Sequence, residues 1–180
     1  MATNIKLTGE ERRTKLLDWL KSSSPLTGTE LAQRANVSRQ VIVQDMTLLK
    51  ARNEPILATS QGYVYMDQST KENASLFERV IAVQHAPEQS EEELLLIVDY
   101  GVGVKDVIVE HPIYGQISAQ IRVNTRKEVY DFMNNIRSSG AAFISELTNG
   151  IHLHTLTSPS EERLDEVCEA LKKVGFLITD

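Results

Sequence analysis

One cysteine in 180 residues, Cys168, leaves no internal disulfide framework to build. It stands with Leu164, Val167 and Leu171 at helical spacing, a core position with no neighbour in sequence that would activate a thiol. Long apolar runs are absent too. The longest, Leu94 to Val98, is far too short to cross a bilayer. The N-terminus shows neither the apolar core nor the cleavage pattern of a secretion signal, so the expectation is a cytoplasmic protein with no membrane partner. Internal repeats and low-complexity tracts are missing, and the one stretch that reads as a linker is Asp67 to Ser75 (DQSTKENAS).

What is present is the balance of an ordinary globular chain, 41% hydrophobic and 24% charged, with room for two small domains. Charge divides unevenly. Residues 1–66 hold nine Lys and Arg against six Asp and Glu, a net of +3. Residues 67–180 hold ten against nineteen, a net of −9. A basic end on an acidic chain suits phosphate binding by that end.

The basic end has a recognisable grammar. Thr8 with Glu11 and Thr27 with Glu30 are T-x-x-E capping boxes, each satisfying the orphan amides at a helix start. Asn36 stops the second helix and Ser38 caps a third, from Arg39 to about Lys50. Val41, Ile42, Met46, Leu48 and Leu49 fall on one side of it, and Arg39, Gln40, Val43, Gln44 and Thr47 on the other. Arg and Gln near a helix N-terminus match the donors and acceptors of base edges in the major groove. A solvated face on a helical hairpin is the bland alternative. Ile56 to Met66 then alternates around Ser60-Gln61-Gly62, a hairpin signal, so the order is helix, helix, helix, wing. Asp45 sits inside the apolar stripe and needs a buried partner, Arg12 or Arg13.

From residue 76 strands and helices alternate. Phe77–His85, Val104–Glu110 and Gln116–Val123 read as strands, and Ser90 with Glu93 reads as a capping box opening a helix that stops at Gly101. Thr125 and Glu128 cap another helix. Phe143–Leu147 and Ile151–Leu156 flank Asn149-Gly150 as an expected hairpin. Ser158, Pro159 and Glu161 open a last helix, and Phe176–Ile178 adds a short strand. The expected class is α+β: a winged helix-turn-helix over 1–66, a linker over 67–75, and over 76–180 a two-layer domain whose mainly antiparallel sheet is covered by helices.

All four histidines lie in the second domain. His152 and His154, two apart on a strand, point to one face about 7 Å apart along it. With His85 and Glu93 they would make three nitrogen donors and one carboxylate, a set suited to zinc or nickel. Against this, a strand face carries polar residues for no reason but solvation, and Glu93 already has a capping role. His111, at a strand end before Pro112, is placed to contact a ligand, to cap a turn or to bind metal.

Four motifs carry a resemblance: VSRQVIVQDMTLLKA (Val37–Ala51), TSQGYVY (Thr59–Tyr65), VEHPIYG (Val109–Gly115) and GIHLHT (Gly150–Thr155). With them the chain resembles, from about Leu16 to Asp180, the niacin-responsive transcriptional repressors. The resemblance implies a C-terminal regulatory domain named for three histidines and similar to the histidine-containing phosphocarriers, a homodimer, and nicotinic acid as co-repressor for genes of NAD synthesis and niacin uptake. It places the metal on His85, Glu93, His152 and His154, and makes the protein a regulator, not an enzyme. Base contacts are then expected from Ser38, Arg39, Gln40, Val43, Gln44 and Thr47. The ion is expected to line the effector pocket and offer nicotinate an open position, with His111 and Tyr114 on the ring and Arg122 or Arg126 on the carboxylate. A metal-sensing repressor and a metal-dependent hydrolase are the rival readings.

Overall fold

A computed structural model describes residues 7–66 and 76–179; the expected linker lies outside the described residues. The chain forms two compact units, Met1–Glu72 and Asn73–Asp180.

In the first unit three helices, α1 (Gly9–Ser22), α2 (Gly28–Ala35) and α3 (Arg39–Ala51), precede a hairpin of β1 (Ile56–Thr59) and β2 (Gly62–Tyr65). Both capping boxes form: Thr8 and Thr27 each accept the amide of the glutamate three residues on, whose carboxylate reaches back. Asn36 turns the chain in the left-handed region at φ 51°, and the Ser38 hydroxyl accepts the Val41 amide. Leu16, Leu20, Leu31, Ile42, Met46 and Leu49 form the core. Leu48 departs from the expected apolar side and is exposed, while Asp45 lies in the buried stripe as expected. Gly62 has a specific job. Its φ is 123°, and a Cβ there would lie 2.5 Å from the Leu26 carbonyl, which pairs with Tyr63 to join the wing to the segment before α2.

The second unit has a four-stranded sheet in the order β3 (Phe77–Gln84), β6 (Ile151–Ser158), β4 (Gly103–His111), β5 (Gly115–Val123), every neighbouring pair antiparallel. Helices α4 (Ser90–Asp99), α5 (Arg126–Ser139) and α6 (Glu161–Lys173) bury Leu94, Ile97, Val129, Met133, Leu164, Val167 and Leu171 with Ile81, Val83, Val104, Val107 and Leu156 of the sheet in one core. Cys168 packs at the edge of that core. On the sheet's other side Val80 and Ile151 stay exposed.

Three expectations are corrected here. Residues Ile144–Thr148 form a 3-10 turn instead of a strand, so Asn149-Gly150 closes that turn at positive φ and no hairpin forms. The partners of β6 come from far along the chain, β3 on one side and β4 on the other. Ser90 does not cap α4: a 3-10 turn at Pro87–Gln89 leads into the helix, and Ser90 and Glu93 lie within it, buried. The tail at Phe176–Ile178 makes only a bridge, Leu177 with Val83.

Candidate metal centre and DNA-reading face

Four buried side chains converge in the second unit. His152 and His154 project from β6 to the helix-covered side, as i and i+2 on a strand must, because their register partners Val83 and Ile81 belong to that core. His85 follows directly on β3. Glu93 reaches them from the first turn of α4. Gly150 makes the approach possible: at φ 84°, a Cβ would stand 2.2 Å from the His85 carbonyl oxygen.

The ring protons can be assigned from chemistry. His85 Nδ1 lies 2.8 Å from the Ala86 carbonyl, His152 Nδ1 2.9 Å from that of Gly150, and His154 Nδ1 2.7 Å from that of Asp106. A carbonyl oxygen only accepts, so each Nδ1 carries the hydrogen and each neutral ring presents a bare Nε2. All three Nε2 atoms face the same carboxylate oxygen, Glu93 Oε2, at 2.6 Å for His85, 3.3 Å for His154 and 3.6 Å for His152. The Nε2 atoms of His152 and His154 are 3.2 Å apart.

Four lone-pair donors with no proton among them require a cation. In metal-free protein it is a proton: burial pushes the His85 and His154 imidazoliums down, but the bonded Glu93 carboxylate more than offsets this and leaves both above their ordinary value. Burial likewise pushes Glu93 up, and its bonds and attraction to His154, His152 and His85 outweigh it and hold the carboxyl well below its ordinary range. A divalent ion does the same more completely. Tetrahedral ligands on bonds of about 2.0 Å stand about 3.3 Å apart, close to the separations found. Glu93 Oε1, buried with no hydrogen-bond partner, offers a further lone pair. His85, Glu93 and His152 have ligand atoms within 4.8 Å of one another, and His154 adjoins them. Backbone carbonyls fixing each ring tautomer are the outer shell that metal-binding histidines use.

The cluster is closed. The four side chains are 1–3% exposed. Burial this deep shows no coordination position open to solvent, of the kind expected to face an effector or needed by a hydrolytic metal for water. A cavity of about 450 Å³ lies alongside instead, lined by Gln84, His85, Ala86, Pro87, Glu146, Asn149 and Gly150. Its walls are the two loops that carry His85 and the carbonyl bound to His152. No periodicity announces this cavity in the sequence.

None of the four residues expected around an effector lines this cavity. His111 uses Nδ1 to accept the amides of Ile113 and Tyr114, and stacks on the Tyr114 ring at 4.9 Å. Arg126 is paired with Asp99 and Tyr130 at the start of α5. Arg122, at φ 55°, donates to Gln120.

In the first unit Ser38, Arg39, Gln40, Val43, Gln44 and Thr47 are all exposed along α3, opposite Ile42, Met46 and Leu49. Arg39 runs beside Gly28 at the start of α2; a Cβ on Gly28 would lie 3.5 Å from Arg39 Nε. Asp45, 2% exposed, takes Arg12 Nε at 2.5 Å and Arg13 Nη1 at 3.1 Å, so both expected partners bind it. Arg13 also joins Glu10, which Arg52 of the segment after α3 binds in turn; those two hydrogen bonds lower the exposed Glu10 carboxyl to about 2.

Comparison with known proteins agrees with both units. Residues 12–64 match the HTH domain and residues 78–180 the 3H domain. The chain is 60% identical over 181 residues to the transcription repressor NadR of Bacillus subtilis, covering all of both proteins. It is 40% identical over 178 residues to the probable transcription repressor NiaR of Thermotoga maritima, covering 98% of this chain and 99% of that one. These relatives are repressors, not enzymes, and the DNA partner follows from the HTH domain. No helix of the described residues is long and apolar enough to cross a membrane. With both domains in this order and likeness along its full length, the chain belongs to the NadR/NiaR family of transcription repressors.

Proposed function

We propose that this repressor acts in the cytoplasm on genes of NAD synthesis and niacin uptake, with nicotinic acid as co-repressor and a nickel or zinc ion on His85, Glu93, His152 and His154. The convergence of three bare Nε2 atoms on a buried carboxylate supports the ion. The VEHPIYG and GIHLHT motifs support the co-repressor. The ion supplies positive charge that ties β3, α4 and β6 together. The protein's own part is to hold the three rings in one tautomer and keep water out.

The effector then acts on the cavity beside the cluster, not on the ion. Its walls, residues 84–87 with Glu146, Asn149 and Gly150, include His85 and the glycine beside it, so a small acid seated there changes how the sheet and α4 meet. None of the lining residues is Lys or Arg, and the compensating charge comes from the ion behind them. In the first unit, α3 enters the major groove with Arg39 and Gln40 on base edges and Gln44 and Thr47 following, Ser38 and Val43 adjoining them. A homodimer places two such helices on half-sites about 34–36 Å apart, and nicotinate strengthens binding by its preference for that spacing.

One observation favours a second reading. A closed four-donor site with no open position suits an ion that is itself the signal. Titrating operator DNA with protein, with and without nicotinate, metal and chelator, decides between them. The niacin reading expects tight binding only when nicotinate is present, weakened by chelator. Binding that tracks metal alone establishes the metal sensor, and binding indifferent to both removes the two together.

A further inference from the structure

The strand beside the histidine cluster is irregular where it meets His154. β4 pairs with β6 at Val104 and Leu156, but the next pair is Asp106 with Thr155, so Lys105 is an extra residue on β4. Toward β5 the register breaks at the same place. Val104 pairs with Val123 and Asp106 with Gln120, which leaves the extra residue on β5. That stretch of β5 holds Arg122 at φ 55°, a left-handed backbone that a side chain adopts only where its surroundings impose it. An extra residue bends a strand, sharpens its twist and re-aims the groups beside it.

Asp106 is the residue re-aimed. His85 and His152 take their orienting carbonyls from Ala86 and Gly150, one and two residues away in sequence. His154 depends on a carbonyl 48 residues away, that of Asp106, at 2.7 Å from Nδ1. A contact between strands has to be held by the strands. The Asp106 carboxylate does this: Oδ1 accepts the amide of Thr155, the residue after His154, at 3.1 Å. One residue thus grips both the ring of the ligand and the backbone next to it. Asp106 is 8% exposed, so little water competes for that amide. Lys105 is tied in turn across β6 to Glu78 of β3, at 2.8 Å.

We propose that the Asp106 carboxylate positions the metal ligand His154: by holding the Thr155 amide it keeps the Asp106 carbonyl aimed at Nδ1, so the ring proton stays there and Nε2 stays bare. The proposal rests on the metal reading above and adds the residue that sets the tautomer of one ligand. Without an acceptor at position 106 the Thr155 amide is left buried and unpaired, and the strands shift to satisfy it. The Asp106 carbonyl then leaves the ring. The proton of neutral His154 moves to Nε2, where Glu93 Oε2 stands 3.3 Å away to accept it. A ring protonated at Nε2 has no lone pair to turn inward, and an ion there loses one of its four ligands. The acceptor oxygen carries the effect and the negative charge does not. Asn keeps an oxygen in the same place and Ala removes it.

Two measurements on the full-length protein test this. In calorimetry, Asp106→Ala should bind zinc roughly ten- to a hundredfold more weakly than the natural chain, and Asp106→Asn should recover most of the affinity. In alkaline buffer without metal, ring nitrogen shifts should place the His154 proton on Nδ1 in the natural chain and the Asn variant, and on Nε2 in the Ala variant. The His154 signal is assigned by its loss in His154→Gln. Asp106→Val, β-branched and suited to a strand, replaces the Ala variant should that one not fold. A natural chain with the proton on Nε2, an apolar variant with natural affinity and tautomer, or an Asn variant as weak as Ala overturns the proposal. A natural chain that takes up no zinc removes the metal reading. The ring shifts then decide alone: a proton that moves in the apolar variant upholds the positioning role, and one that stays overturns it.

Discussion

Among the described residues the most deeply buried carboxylate of each unit is Asp45 in the first and Glu93 in the second, and the two are neutralised in opposite ways. Asp45 is 2% exposed and bound by Arg12 and Arg13, guanidiniums that keep their charge at any pH a cell meets. Glu93 is 1% exposed and surrounded by imidazoles that are cationic only when protonated and otherwise turn lone pairs toward it. The first arrangement has a single state, and it pins α1 to α3 so that the reading helix keeps its angle. The second has at least three: proton-filled, ion-filled, or unstable. The HTH unit and the 3H unit thus solve one electrostatic problem with different cations.

The contrast can be broken at either end. Asp45→Ala should cost the first unit roughly 3–5 kcal/mol, because two arginines are left partly buried without their counter-charge. Thermal unfolding that changes by less than about 1 kcal/mol would show the pair to be solvated and incidental. Next in size, the double change His152→Ala and His154→Ala should abolish stoichiometric nickel or zinc binding in calorimetry. It should also erase the metal-induced stabilisation, about 4 kcal/mol at a thousandfold excess over Kd. Retained stoichiometric binding would move the metal elsewhere. Arg39→Ala should lower affinity for the cognate operator by roughly 1–3 kcal/mol and relax specificity at one base pair. An equal loss on random DNA would assign Arg39 to phosphate.

The smallest effect is in pH, and its sign follows from the shifts. His85 and His154 lie above the ordinary 6.5, so their stabilisation of metal-free protein is full below 6.5 and lost as pH rises through the elevated values. Glu93 lies well below 4.5, so its contribution is present above 4.5 and lost as pH falls through the lowered value. The cluster in metal-free protein is therefore best supported between those limits. An ion must displace the protons, so the rise in Tm on adding metal should be small near about pH 6 and grow toward about pH 8. A rise that is constant across this range would mean the histidines carry no protons to lose.

Much of the first unit was legible because its signals are local. A T-x-x-E box is complete within four residues, and three of them mark true helix starts, at Thr8, Thr27 and Thr125. Ser90 and Glu93 have a spacing just as good, yet the carboxylate is drawn to three histidines distant in sequence, and Pro87 starts the turn earlier. Asn149-Gly150 signalled positive φ correctly, but the partner strands of β6 are set by the sheet and not by the turn. The HxH spacing gave a shared face. It said nothing of closure, which depends on Gly150 lying against His85 and on α4 above. Leu48 was assigned by counting along a helix whose buried stripe had room for Asp45 because two arginines lay waiting.

The place of β6 in its sheet has a consequence for synthesis. The strand that ends at Ser158 is an inner one, and without it β3 has no neighbour and β4 lacks half its bonds. The first 66 residues already contain every element of the helix-turn-helix unit. The sheet of the second unit cannot close until β6 is made, almost at the end of translation. A chain that stops before β6 therefore holds a complete first unit and lacks the sheet that gathers His85, Glu93, His152 and His154.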